Sequence, residues 1–151
     1  MRQYTEKINI FLADDDPDDR ALFEQALDGF STKHTLNFFH NGKDLLEYFN
    51  NPDAEIPDIL FLDLNMPYFS GTECLIELRK NSRFRDLPIA IYSTSSSEKD
   101  QEDTFVNGAN VYIKKPDSFG KLQQVLHEVI TVNWQFKTSS SMNRDMFFIS
   151  L

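Results

Sequence analysis

The chain has 151 residues, 40% of them hydrophobic, with a formal net charge of -9 and a pI near 4.7. That is enough apolar material for one domain with a core, and it is not the composition of a disordered chain. The acidic balance argues against general binding to nucleic acid or to an anionic membrane surface.

No apolar stretch approaches the ~20 residues that span a bilayer. The opening MRQYTEKINI carries charges with no long apolar segment after them, so no signal peptide is expected. The one cysteine, Cys74, has no internal partner and lies beside Leu75 and Leu78 on an apolar helical side. That marks it as a core residue in a reducing compartment, and the expectation is a soluble cytoplasmic protein.

In chain order, Ile8 to Ala13 predicts a short buried strand and Pro17 to about Leu27 a helix, with Leu22, Phe23, Ala26 and Leu27 near helical spacing. Leu36 to Phe39 predicts a second strand. Asn41-Gly42 then breaks the chain before a helix whose apolar side holds Leu45, Leu46, Tyr48 and Phe49. Ile59 to Leu64 (ILFLDL) shows no polar alternation until Asp63, which suits a parallel strand covered on both faces. Met66 to Gly71 predicts a turn, Thr72 to Lys80 a helix, Pro88 to Tyr92 a buried strand and Ser93 to Ser97 a turn. Glu98 to Asn107 predicts a helix with little apolar surface beyond Phe105 and Val106, hence a weakly docked one. Val111 to Ile113 predicts a last strand. Phe119, Leu122, Val125, Leu126, Val129 and Ile130 line one side of a final helix, with Trp134 as an anchor near its end.

Five strands alternating with five helices predict an α/β doubly wound domain on a parallel sheet over residues 1–135. Residues 136–151 (FKTSSSMNRDMFFISL) form a tail with two open readings: a flexible end, or a segment docking through its FFISL end on the domain or on a partner.

The stretch IFLADDDPDD concentrates five aspartates directly after an apolar run. Asp16 can cap a helix beginning at Pro17, with Asp18 and Asp19 as dipole-matched surface charges in its first turn. Asp14 and Asp15 remain unexplained by capping. In open parallel sheets ligands bind beyond the carboxyl ends of the strands. The residues at those ends are Asp14 and Asp15, Asp63, Ser93 and Thr94, and Lys114, Lys115 and Pro116. Three carboxylates sharing one crevice call for a cation, and oxygen ligands with open positions suit Mg²⁺. A metal, a lysine and a hydroxyl around an aspartate are the parts needed for phosphoryl transfer.

These residues carry a family resemblance. The acidic pair Asp14-Asp15, the run DLNMPYFSG from Asp63 to Gly71, Ser93, Tyr112 and Lys115-Pro116, each in order at its place, resemble a receiver domain of two-component response regulators. DDDPDDR and YSTSSSE are most similar to small receivers serving phytochrome-type sensor kinases. The resemblance implies a flavodoxin-like, CheY-like fold with five strands in the order 2-1-3-4-5 and helices on both faces. It implies that Asp63 accepts a phosphoryl group from a phosphohistidine. Mg²⁺ would be bound by Asp15 and Asp63, by Asp14 through water, and by the Asn65 carbonyl. Ser93 and Lys115 would contact the phosphoryl group, with Thr94 narrowing access beside them. Tyr112 would be the switch aromatic, although sheet packing is its plain alternative. Pro116 matches a cis-proline, and Gly71 is structural. The helix over 98–107, the last strand and the last helix would form the signalling face.

The expected partners are a sensor histidine kinase or phosphotransfer protein and a downstream protein, with a homodimer left open and no nucleic acid or membrane. About 20 residues beyond the receiver are too few for an output domain. The chain is therefore expected to be a switch that acts only on its own aspartate rather than an enzyme. Two alternatives compete. One is an adaptor of the same fold that works without phosphorylation, which the intact Asp63, Asp15, Ser93 and Lys115 disfavour. The other is an aspartate-nucleophile Mg²⁺ phosphatase, which needs an Asp-x-Asp-x-Thr motif that Asp14, Asp16 and Asp18 fail to supply.

Overall fold

The computed structural model describes residues 7–30, 32–135 and 147–151, with side chains up to 131 and again from 147. Its elements run β1 (Ile8–Ala13), α1 (Pro17–Leu27), β2 (His34–Phe39), α2 (Gly42–Asn50), β3 (Ile59–Leu62), α3 (Gly71–Lys80), β4 (Ile89–Ser93), α4 (Glu98–Val106), β5 (Val111–Lys114), α5 (Phe119–Gln135) and β6 (Phe148–Ile149). The sheet order is β2-β1-β3-β4-β5-β6, every pairing parallel. This is the expected doubly wound, CheY-like arrangement with one strand added. Trp134, expected as an anchor, has its side chain outside the described residues, as do residues 136–146 of the tail.

The apolar runs form central strands because both faces of the sheet are covered. Phe11, Leu60, Leu62, Ile89, Ile91 and Tyr112 pack against α2 and α3 through residues such as Leu45, Phe49, Leu75 and Leu78. Their alternates Ile10, Leu12, Phe61, Ala90, Val111 and Ile113 pack against α1 and α5 through Phe23, Leu27, Leu122 and Leu126. Cys74 is buried in the first core, and burial pushes its thiol up to about 12, so it is an inert core residue.

Side-chain caps set where helices begin. Asp16 accepts from the backbone of Asp18 and Asp19, Asn41 from Asp44, and Ser97 from Asp100. Ser70 and Glu73 form a reciprocal capping box at α3. Gly42 is the first residue of α2 rather than only a break. A Cβ there would stand 2.2 Å from the Phe69 carbonyl oxygen, so only glycine lets α2 approach the loop before α3.

Three expectations are corrected. The sheet has six strands, not five, because Phe148–Ile149 of the tail pairs with β5. β3 stops at Leu62 rather than Leu64, since the Leu64 carbonyl accepts from Gly71 N (2.9 Å) instead of a neighbouring strand. β2 starts at His34 rather than Leu36. It is an edge strand, where polar residues are tolerated, and Thr35 Oγ1 donates to Asn9 Oδ1 across the pair (3.1 Å).

Candidate functional site

Strand register assembles the site. Ala13 pairs with Leu62, so Asp14 and Asp63 emerge side by side at the next position. Asp63 N donates to the Ala13 carbonyl at 2.9 Å and Asp14 N to the Phe39 carbonyl at 3.0 Å. Ser93 pairs with Lys114, and Lys115 N donates to the Ser93 carbonyl at 2.7 Å. The four strand ends therefore deliver Asp14, Asp63, Ser93 and Lys115 to one edge of the sheet.

Asp14, Asp15 and Asp63 each place a carboxylate oxygen within 4.8 Å of the others. Asp14 is 0% exposed, Asp63 buried and Asp15 exposed, so the cluster opens to solvent on one side. This donor set of hard oxygens, closed on the protein side and open on the other, fits a divalent cation that keeps water ligands.

Lys115 Nζ lies 2.9 Å from Asp14 Oδ2, 2.7 Å from Asp19 Oδ2 and 3.5 Å from Asp63 Oδ2. It also sits 5.1 Å from the centre of the Tyr92 ring. Burial works to lower its pKa, but the hydrogen bond to Asp19 and the charges of Asp63 and Asp14 outweigh it and hold the ammonium above its ordinary value. Asp63 shifts the other way for a carboxylate. Burial, with Asp14 adding repulsion, pushes it up to about 6, against the pull of Lys115 and the Asn65 N–H. The phosphoacceptor candidate is thus a carboxyl whose ionisation the site disfavours.

Gly71 buttresses this residue. A Cβ at Gly71 would stand 2.2 Å from the Asp63 carbonyl oxygen and 2.8 Å from the Leu64 Cα. The start of α3 can approach the end of β3 only because no side chain stands between them. The intervening turn places Tyr68, 74% exposed, at φ 70.

Ser93 is buried, and its Oγ accepts from Ser95 N at 3.1 Å. Tyr112 is 0% exposed and donates its hydroxyl to the Ser95 carbonyl at 2.9 Å. Tyr112 therefore faces the loop after β4, one hydrogen-bonded step from Ser93, rather than solvent. Thr94 and Asn65 are exposed beside Ser93 and Asp63, and Asn65 N lies 3.4 Å from Asp63 Oδ1. Lys115-Pro116 is a correction. There are no cis peptide bonds among the described residues, so this bond is trans, the isomer that X–Pro bonds favour by about 0.5–1 kcal/mol.

Two residues of the site escape the sequence reading. Asp19, expected as a surface charge, makes the shortest ion pair to Lys115, and Arg20 Nη1 donates to the Asp14 carbonyl at 2.8 Å. The available signal was the Asp16 cap. A helix starting there turns its third and fourth residues back over the end of β1.

A family model described as the response regulator receiver domain matches residues 10–127. The probable methanogenesis regulatory protein FilR2 of Methanothrix harundinacea (strain 6Ac) is 27% identical over 123 residues, covering 80% of this chain and 79% of that protein. The phosphorylated cyanobacterial phytochrome response regulator RcpA superposes with a TM-score of 0.76 at 27% identity, covering 91% of this chain and 98% of the other. The Mn(2+)-bound form of response regulator Rcp1 gives 0.75 at 21% identity, over 90% and 99% of the two chains, a likeness of fold. No helix among the described residues is long and apolar enough to cross a membrane. With the acidic cluster, the lysine and the serine all at the strand ends of a sheet ordered β2-β1-β3-β4-β5-β6, the chain belongs to the response regulator receiver domain family.

Proposed function

We propose that Asp63 accepts a phosphoryl group from a histidine kinase or phosphotransfer protein and that this switches the face formed by α4, β5 and α5. The observation that carries the reading is the convergence of Asp14, Asp15 and Asp63 with Lys115 at one strand edge. The similarity to RcpA supports a phytochrome-type sensor kinase as the phosphoryl source.

The ionised Asp63 carboxylate attacks phosphorus. The bond from phosphorus to the kinase imidazole breaks, and the imidazole leaves as the nitrogen base, so the transfer needs no other reactant. Lys115, already beside Asp63, balances the charge of the acyl phosphate, and the Ser93 hydroxyl donates to a phosphoryl oxygen. Asp15 and Asp63 through their carboxylates, Asp14 through water and the Asn65 carbonyl would hold Mg²⁺, which when bound supplies positive charge at the phosphoryl oxygens. Exposed Thr94 limits the approach of water. As Ser93 moves toward the phosphoryl group, the Ser95 loop follows, and Tyr112 and the weakly anchored α4 respond as a two-state element. The protein acts on its own aspartate alone and signals through a downstream protein.

Calorimetry with Mg²⁺, then with Mg²⁺ and beryllofluoride, tests this. Binding of both, lost in Asp63→Asn, is expected. Absence of both in the native protein refutes the switch and leaves a phosphorylation-independent adaptor.

A further inference from the structure

The edge of β5 is covered by the chain's own residues. Phe148 pairs with Tyr112 and Ile149 with Ile113, in parallel. A two-residue ladder is a weak attachment by itself. The side chains supply the rest. Phe147 is 3% exposed and joins the core on the Tyr112 side of the sheet. Its ring meets Phe105 of α4 edge-on at 5.1 Å between centroids and Tyr112 at 6.2 Å. Phe148 lies 5.5 Å from Tyr112, while Ile149 packs into the core on the opposite face. The segment therefore grips β5 from both sides.

What it touches matters. Phe105 is one of the few apolar side chains of α4; its neighbour Val106 is 62% exposed. Tyr112 is hydrogen-bonded to the loop that begins at Ser93, and Ser95 Oγ of that loop donates to Asp100 of α4 at 2.6 Å. Phe147 thus rests on Phe105 of α4 and on Tyr112, whose hydroxyl is bonded to the same loop that Asp100 of α4 holds.

We infer that the β5 edge, with Phe105 and Tyr112, is a binding site for an extended segment bearing two adjacent aromatics. Residues 147–149 of this chain fill it in cis, and its occupation and the loading of Asp63 reinforce each other. The second clause rests on the function proposed above; the first does not. The sign follows from Tyr112. The ring is inward when the segment is docked, and Phe147 and Phe148 lie against it, so an outward ring displaces them. A phosphoryl group that draws the Ser93 loop in holds Tyr112 in that same inward position. Two events that favour one conformation help each other by equal factors. A downstream protein reading this face must then displace residues 147–149 or bind around them.

Amide exchange of the full chain tests both clauses, at several protein concentrations, with and without Mg²⁺ and beryllofluoride. The native protein is expected to protect residues 148–150 and 111–114 to a degree independent of concentration. Phe147→Ala is expected to lower the protection of 148–150 by on the order of tenfold. It leaves the domain folded, as monitored by the β1 and β3 amides. Beryllofluoride is expected to raise protection of 148–150 by on the order of fivefold, and Phe147→Ala to weaken beryllofluoride binding by a similar factor. Exchange of 148–150 at the rate of free peptide, or protection that appears only as concentration rises, overturns the cis site; the latter means that a second copy supplies the segment. Beryllofluoride binding that neither changes 148–150 nor responds to Phe147→Ala overturns the coupling and leaves the site. If beryllofluoride fails to bind the native protein, the coupling falls with the proposed function, and the loss of protection in Phe147→Ala alone decides the site.

Discussion

Replacing Asp63 with Asn is expected to stabilise the metal-free protein at pH 8. Burial and Asp14 hold the Asp63 carboxyl at about 6, above its ordinary 3.8. A carboxyl whose pKa is raised on folding favours the native state while it is protonated, and that contribution is lost as pH rises through about 6. The gap between about 6 and 3.8, at about 1.4 kcal/mol per pH unit, is worth about 3 kcal/mol. Asn has the shape of the neutral acid and never ionises, so it escapes the loss. The assay is urea unfolding of both proteins in chelator from pH 3.5 to 8. The other carboxylates titrate in both and cancel in the difference. The variant is expected to lead by about 3 kcal/mol at pH 8, or roughly 6–12 °C in Tm. The lead shrinks through pH 6 and vanishes below about 4. Saturating Mg²⁺ stabilises only the native protein and erodes the lead. An Asn variant that is no more stable at pH 8, or a lead independent of pH, refutes the claim that ionised Asp63 is held at a cost.

Four further outcomes follow from the same geometry. Lys115→Met leaves Asp14 buried without its cation and is expected to cost about 3–5 kcal/mol at neutral pH without metal, measured by urea unfolding and partly recovered with Mg²⁺. Asp19→Asn removes a nearby negative charge and releases Lys115 toward Asp63, so the Asp63 titration midpoint followed by carboxyl carbon NMR is expected to fall. Gly71→Ala sets a Cβ against the Asp63 carbonyl and is expected to cost about 1–3 kcal/mol in thermal unfolding and to weaken Mg²⁺ binding in calorimetry. Ser70→Ala removes half of the capping box at α3 and is expected to cost about 1 kcal/mol in urea unfolding with little effect on the Asp63 titration.

The apolar runs determined the strands because a parallel strand buried on both faces has no polar alternation to confuse it; ILFL and PIAIY are legible for that reason. The capping aspartate and the strand-end acids were legible because capping and charge are local chemistry. The order of the strand ends then placed Asp14, Asp15, Asp63, Ser93 and Lys115 together. Asp19 was not legible as a partner of Lys115, since the two stand 96 residues apart and only the turn of α1 over the end of β1 joins them. The inward Tyr112 depended on a hydrogen bond to the Ser95 carbonyl, a backbone group that no residue type announces. FFISL read as an end that docks on the domain or on a partner, or as a flexible one, with no strand assigned to it. Two residues make no strand pattern, and their docking comes from an edge strand and two aromatic rings that the sheet had first to bring together.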